Sequence, residues 1–253
     1  MKNLSSQRIG EIRFNNNGLE MKIIKYENGR NISVEFKESG NIISSNYPCF
    51  LKGSIKDNYN NFIFGKGYIG IGKYKSTLNG ETTKMFNAWK GISRRSYDSS
   101  IKENPSYIGC SVIEDWNNFQ VFGEWYNHNY YEVDNEEMTL DKDILVKRNK
   151  IYSPDTCIFV PKNINILFTK RSRFRGKYPI GVHYQKQNQK YIAQCSNRGE
   201  EIYLGCFDNP KLAFNTYKKY KENLIKQVAE EYKNKIPKML YDAMYKYEIE
   251  ITD

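Results

Sequence analysis

At 253 residues the chain exceeds the usual size of one domain, so two or three compact units are expected. Its 39 Lys and Arg against 29 Asp and Glu give a net charge of +10 and a pI near 9.1, which favours a polyanionic partner, nucleic acid foremost. Cys49, Cys110, Cys157, Cys195 and Cys206 contain no C-x-x-C pair, no stretch approaches the ~18 apolar residues of a bilayer span, and the N-terminal MKNLSSQRIGEIRF has no apolar core; these features argue against a disulfide scaffold, a zinc ribbon, a membrane span and a signal peptide, and a soluble, reduced, intracellular protein is expected.

From Arg8 to about Gly72 apolar and polar residues alternate with period two between turn residues, in GEIRF, LEMKIIKY and ISVEF, separated by NNNG, ENGRN and KESGN. That pattern predicts a meander of short antiparallel strands with Ile12, Phe14, Met21, Ile23, Ile32, Val34 and Phe36 on a buried face. Such a unit, residues 1–72, resembles a small SH3-like barrel. It contains no His and no clustered carboxylates, and reads equally as a docking module or as a second DNA-contacting one.

The next segment, residues 73–169, opens with a helix expected over Met85–Tyr97, with Phe86, Trp89 and Ile92 packed and Arg94 and Arg95 left for phosphate. Trp116, Phe119, Phe122 and Tyr126 recur at helical spacing and read as the core face of a helix beginning near Glu114. Turn and apolar spacing then predicts a strand over Thr139–Val146, a turn at Lys147–Asn149, a short strand over Lys150–Tyr152 and a helix opened by Ser153 and Pro154.

Residues 170–253 alternate as GVHYQK, KYIAQCS and EIYLGCF, with turns QNQ and NRGE, and then enter a helix at Asn209 and Pro210. Leu212, Ala213, Tyr217, Tyr220, Leu224 and Val228 mark its apolar stripe, and a further helix follows Pro237. No Asp or Glu lies between Thr156 and Gly199, whereas Lys162, Lys170, Arg171, Arg173, Arg175, Lys177, Lys186, Lys190 and Arg198 all do. Strand alternation turns His183, Gln185, Ile192, Gln194, Ser196, Glu201 and Tyr203 outward, with Tyr191, Ala193, Cys195, Ile202 and Leu204 toward the helix. The fold class expected is α+β: a barrel-like unit, a central strand-strand-helix domain with helices, and a C-terminal three-stranded antiparallel sheet plus helix.

The run GVHY, KYIAQ, EIYLGCF and the helix with Ala213 and Tyr217 resembles an APETALA2-type DNA-binding domain over about fifty residues. The resemblance implies a sheet lying in the major groove of double-stranded DNA, whose base edges carry a distinct pattern for each pair. The residues implied are His183, Gln185, Gln194, Ser196 and Tyr203 on the bases, with Lys186, Lys190, Arg198, Arg171, Arg173, Arg175 and Lys177 on phosphate. Few arginines and the presence of Glu201 on that face imply loose sequence preference.

MTLDKDILVKRNKIYSPDTCIFVPKNINILF resembles the HNH or His-Me-finger nucleases, and the whole order resembles phage and prophage proteins of that class, which act in the cytoplasm of a bacterial host cell. That resemblance implies Asp141, Asp143, Asn149 and His128 as catalytic residues and Asp141, Asp143 and Asn163 as ligands of Mg2+ or Mn2+. The histidine usual at the end of the first strand is missing. Two readings therefore stand: a metal-dependent DNA nicking or cleaving enzyme, and a non-catalytic DNA-binding regulator, or an inhibitor of a host defence enzyme, on a decayed nuclease scaffold. The second admits a host or phage protein as a further partner.

Overall fold

A computed structural model of the protein describes residues 7–60, 63–101, 107–169 and 177–253. The fold is α+β, and the chain forms two compact units: residues 1–93 with 114–124, and residues 94–113 with 125–253. No helix among the described residues is long and apolar enough to cross a membrane.

In the first unit β1 (Ile12–Phe14), β2 (Glu20–Asn28), β3 (Asn31–Phe36) and β4 (Ile42–Ser45) form an antiparallel meander. Alternation along β2 and β3 puts Met21, Ile23, Ile32, Val34 and Phe36 on one face, where they are buried with Phe50 of α1 (Tyr47–Leu51) and Ile55. The expected barrel does not close, because among the described residues β1 pairs only with β2 and β4 only with β3. A helix and a loop cover the apolar face instead, and Ile12 and Phe14 on the three-residue edge strand are exposed rather than core.

Further along this unit, β5 (Thr77–Leu78) and β6 (Glu81–Thr82) form a tight hairpin before α2 (Lys84–Tyr97). A 3-10 turn at Glu114–Asn117 leads into α3 (Phe119–Asn129), and Trp89, Ile92, Trp116, Phe119 and Phe122 form a fully buried aromatic core. The α-helix starts at Phe119 rather than near Glu114 because the Asn118 side chain accepts from the Gln120 N–H at 2.9 Å and caps it there. The Trp89 Nε1–H donates to the Trp116 carbonyl at 2.6 Å.

The second unit departs further from expectation. The strand read as Thr139–Val146 stops at Asp141 (β8, Met138–Asp141), so Asp143 lies in a loop. After β7 (Ser111–Val112), the short strand β9 (Ile151–Tyr152) runs parallel to β7 and does not pair with β8. Ser153 and Pro154 open no helix: the Thr156 and Cys157 amides donate to the Ser153 carbonyl in a single turn, and the apolar run that follows becomes β10 (Ile158–Pro161), antiparallel to β8. Its four residues are all buried, which a strand enclosed on both faces requires. The helix, α4 (Lys162–Leu167), comes only after it.

The C-terminal elements follow the sequence pattern closely. β11 (Val182–Gln185), β12 (Lys190–Asn197) and β13 (Glu200–Phe207) form one antiparallel sheet, and α5 (Pro210–Tyr232) lies on one face of it, followed by α6 (Lys238–Tyr245). Asn209 caps α5 by accepting from the Lys211 N–H at 2.8 Å, with Pro210 in the first turn. Ala213, Tyr217, Leu224 and Val228 are buried as expected, but Leu212 is exposed and Lys221 takes a place in the buried stripe. Segments 73–169 and 170–253 do not keep separate cores: Val133, Ile144, Val160 and Ile164 share one cluster with Val182, Ala193, Phe214 and Ile225.

Candidate functional site

The three-stranded sheet presents two unlike faces. Val182, Ala193 and Cys195 point to α5 and are buried, with Leu204 and Tyr191 packed on the same core. On the opposite face His183 pairs across with Ile192, which in turn pairs with Cys206, Gln185 with Lys190, Gln194 with Tyr203, and Ser196 with Glu201. A bulge between Ala193 and Gln194 leaves Leu204 without a partner in register yet keeps both rows on their faces. His183 and Glu201 are exposed and Tyr203 keeps 64% of its surface in solvent; Ile192, in the same row, is covered.

Cations flank this face. Arg198 and Gly199, both at positive φ (50° and 92°), form the two-residue turn joining β12 to β13, and Arg198 is exposed there. Arg198 pairs with Glu231 of α5, and Lys190 with Asp208 at 2.7 Å. Both bridges are exposed, so each is worth at most about 1 kcal/mol and yields readily to another anion. Lys186 and Lys177 are exposed. Arg171, Arg173 and Arg175 lie outside the described residues. Of the upstream pair expected on phosphate, Arg95 is instead committed inward, its Nε donating to the Tyr152 hydroxyl at 2.7 Å, and Arg94 pairs with Asp98.

The residues expected to bind a divalent metal do not assemble. Asp141 Oδ1 accepts from the Asp143 and Ile144 amides, both at 2.8 Å, and so acts as the cap of the 142–149 loop. The Lys142 side chain is buried and its ammonium lies 3.2 Å from Asp143 Oδ2, a cation already supplied by the chain. Asn149 spends its side chain on the same loop: Nδ2 donates to the Lys142 and Ile151 carbonyls at 2.7 Å, and Oδ1 accepts from the Ile151 amide. Asn163 donates to Glu136 beyond the other end of the β8–β10 ladder, where Pro161 pairs with Met138, while Asp141 pairs with Ile158. Three residue steps along the strand separate those ends, about 10 Å. His128, in the last turn of α3, lines a separate cavity of about 440 Å3 with Cys157, Ile158 and Lys235. Among the described residues no group of three His, Cys, Asp or Glu could hold a metal.

The loop is held from outside as well. Lys147 Nζ donates to the Glu248 carbonyl at 2.8 Å and pairs with Glu250 and Asp253, and Arg148 pairs with Glu250 and donates to Thr252 Oγ1 at 2.9 Å. Burial, with the neighbouring Asp143 carboxylate second, pushes the Asp141 carboxyl up to about 6. A carboxyl raised in the folded state stabilises the fold below its unfolded pKa, and that contribution disappears as pH rises through the folded value. Asp141→Asn keeps the acceptor oxygen and removes the titration. In urea unfolding at a series of pH values, the wild type is therefore expected to lose stability relative to this variant between about pH 4 and pH 6–7. Parallel curves for the two proteins would show that burial does not perturb Asp141.

Two residues of this unit escaped the sequence reading although a signal was present. Lys221 stands four residues from Tyr217 and three from Leu224, at core spacing on α5, and is buried. Asn197 sits two residues beyond the inward-facing Cys195, and its Oδ1 is buried with no hydrogen-bond partner among the described residues. Comparison with protein-family models, with curated proteins and with solved structures gives no match to this chain.

Proposed function

We propose that the protein binds double-stranded DNA through the outer face of β11–β13 and does not cut it. The observation that carries this reading is the row His183, Gln185, Gln194, Ser196 and Tyr203, hydrogen-bonding side chains on the sheet face turned away from the core, the first four inside a stretch of chain without acids. A β-sheet face of this kind enters the major groove, where Gln194 matches an adenine edge and Tyr203 and Ser196 serve as less selective contacts. Lys177, Lys186, Lys190 and Arg198 supply phosphate contacts at its borders, the last two by exchanging an exposed carboxylate for a phosphate. The order sheet then helix is also what the APETALA2-type resemblance implies. Glu201 in the same row disfavours close approach to phosphate, so a modest preference among sequences fits better than strict recognition.

The strand-strand-helix order of β8, β10 and α4 supports descent from a nuclease scaffold, and the absence of a suitable donor set supports loss of its metal chemistry. Such a protein would occupy duplex DNA as a regulator or as a block to another enzyme.

Fluorescence anisotropy with a labelled duplex tests the reading. With four phosphate contacts, affinity should fall on the order of a hundredfold between about 50 and 200 mM salt, and Lys186→Ala should flatten the log–log slope by roughly 1. Gln194→Ala with Tyr203→Ala should weaken binding at least tenfold at fixed salt. Affinity indifferent to salt, or unmoved by the outer-row changes, would sink the sheet-in-groove reading. Supercoiled plasmid incubated with Mg2+ or Mn2+ should stay intact; nicking that disappears in Asp143→Ala would overturn the non-cleaving half.

A further inference from the structure

β12 outruns its neighbour. Val182 at the start of β11 pairs with Ala193, and the Gln194 amide donates to the Gly181 carbonyl at 3.0 Å. Beyond that bond Cys195, Ser196 and Asn197 continue with no strand on the β11 side among the described residues, while on the other side each is paired with β13. Alternate residues of an antiparallel strand aim their N–H and C=O groups to the same side, so Ser196 faces the open edge as Gln194 does. The bulge does not break this alternation, because its extra residue, Leu204, lies in β13. Among the described residues the Ser196 amide donates to nothing, and its carbonyl receives only the weak Cys195 thiol contact at 3.5 Å. This edge opens on a cleft of about 940 Å3, bordered by the unbroken run 194–199 and by residues of α4 and α5. Ile166 of α4 lines it with 52% of its surface in solvent, and Val228 of α5 lines it too. Its charges disfavour an anion. Glu201 is exposed and has no cationic partner among the described residues, Glu231 is held by Arg198, and Lys221 is buried with contacts of its own.

We propose that an extended segment of a partner protein fills the lane that β11 vacates, antiparallel to β12, with the side-chain order apolar, basic, apolar; this site does not rest on the DNA-binding reading. Backbone groups left open along a strand edge are complementary to another extended backbone and to little else. The residue opposite Ser196 exchanges both main-chain hydrogen bonds with it. Its side chain falls on the outer face, where Ser196 is small and Glu201 stands next in the same row, so a Lys or Arg at that position reaches the open carboxylate across Ser196. The residues before and after it turn to the opposite face, toward the cleft and its apolar Ile166 and Val228. Main-chain bonds supply the affinity and the alternating side chains supply the choice of partner.

The experiment uses the full chain and a dye-labelled peptide, Ser-Thr-Val-Arg-Val-Thr-Ser with blocked ends, followed by fluorescence anisotropy without DNA. Saturable binding is expected, weakened about tenfold when the arginine amide is N-methylated, because that change removes the donor to the Ser196 carbonyl and alters no side chain. Ile166→Glu, at an exposed position where circular dichroism should show an intact fold, should also weaken binding about tenfold by placing a charge against the apolar side chains. A peptide with glutamate in place of arginine should bind severalfold more weakly, and Glu201→Lys should restore it. No saturable binding, equal affinity for the N-methylated and parent peptides, or affinity unchanged in folded Ile166→Glu would each overturn the proposal. So would sedimentation showing a dimer that Ile166→Glu dissolves while the peptide fails to bind, since the cleft would then belong to a second copy of the chain.

Discussion

Replacing Gly181 by alanine is expected to lower the unfolding free energy by roughly 2–5 kcal/mol, combining backbone strain with overpacking. Gly181 holds φ at +75°, and a Cβ there would lie 2.0 Å from Tyr217 Cδ2 and 2.2 Å from Cγ. The ring cannot step aside cheaply, because Tyr217 is buried on α5 within the core that backs the sheet. Moving the backbone is no easier, since the Gly181 carbonyl accepts the Gln194 amide at 3.0 Å and so fixes where β11 meets β12. Gly199→Ala is the matched control. Its φ of +92° imposes similar strain but its Cβ would meet nothing within 4 Å, so only about 1–2 kcal/mol should be lost. Chemical denaturation of the two variants separates the terms. Equal losses would mean that the Gly181–Tyr217 contact does not set the seat of the sheet on its helix. Because Gln194 and His183 are positioned through this junction, duplex affinity should fall with stability in Gly181→Ala and hold nearly steady in Gly199→Ala.

Trp89→Ala should cost about 3–5 kcal/mol from the cavity alone. The indole is fully buried and its ring lies 5.5 Å from Phe86 and 5.4 Å from Phe119, centroid to centroid. It also donates a hydrogen bond to the Trp116 carbonyl, which the alanine variant removes. Trp89→Phe keeps most of the volume and drops the donor; about 1–3 kcal/mol is expected there. If the phenylalanine variant is as damaged as the alanine one, the hydrogen bond and not the packing governs this core. Urea unfolding followed by tryptophan emission and by far-ultraviolet dichroism reads both.

The C-terminal module was legible because its signals are local and agree with one another. Asn197-Arg198-Gly199-Glu200 encodes a two-residue turn, Asn209-Pro210 encodes a helix start, and alternation between them encodes the faces. The middle of the chain was not, because its decisive interactions are nonlocal or ambiguous. Ser153-Pro154 is as good a turn as a helix start, and only the pairing of Ile158 with Asp141 decides for a strand. The nuclease resemblance implied Asp141 as a ligand on a strand that also carried Asp143, yet the strand ends at Asp141 and its oxygen turns to the amides that follow. Arg95 lay on a helix face that spacing leaves open, but Tyr152, more than fifty residues on, takes it. The barrel failed for a related reason: strand count was readable, whereas closure depends on what else covers the apolar face.

The clasp on the 142–149 loop joins partners 101 to 106 residues apart in sequence. Contacts that distant close large loops and form late, after the local hairpin and helix of the C-terminal module. The loop that carries Asp141 and Asp143 therefore depends for its final shape on a segment that docks near the end of folding. A protease added early in refolding should cut there first, and a mature molecule should resist it, which makes this loop a reporter of when the fold is complete.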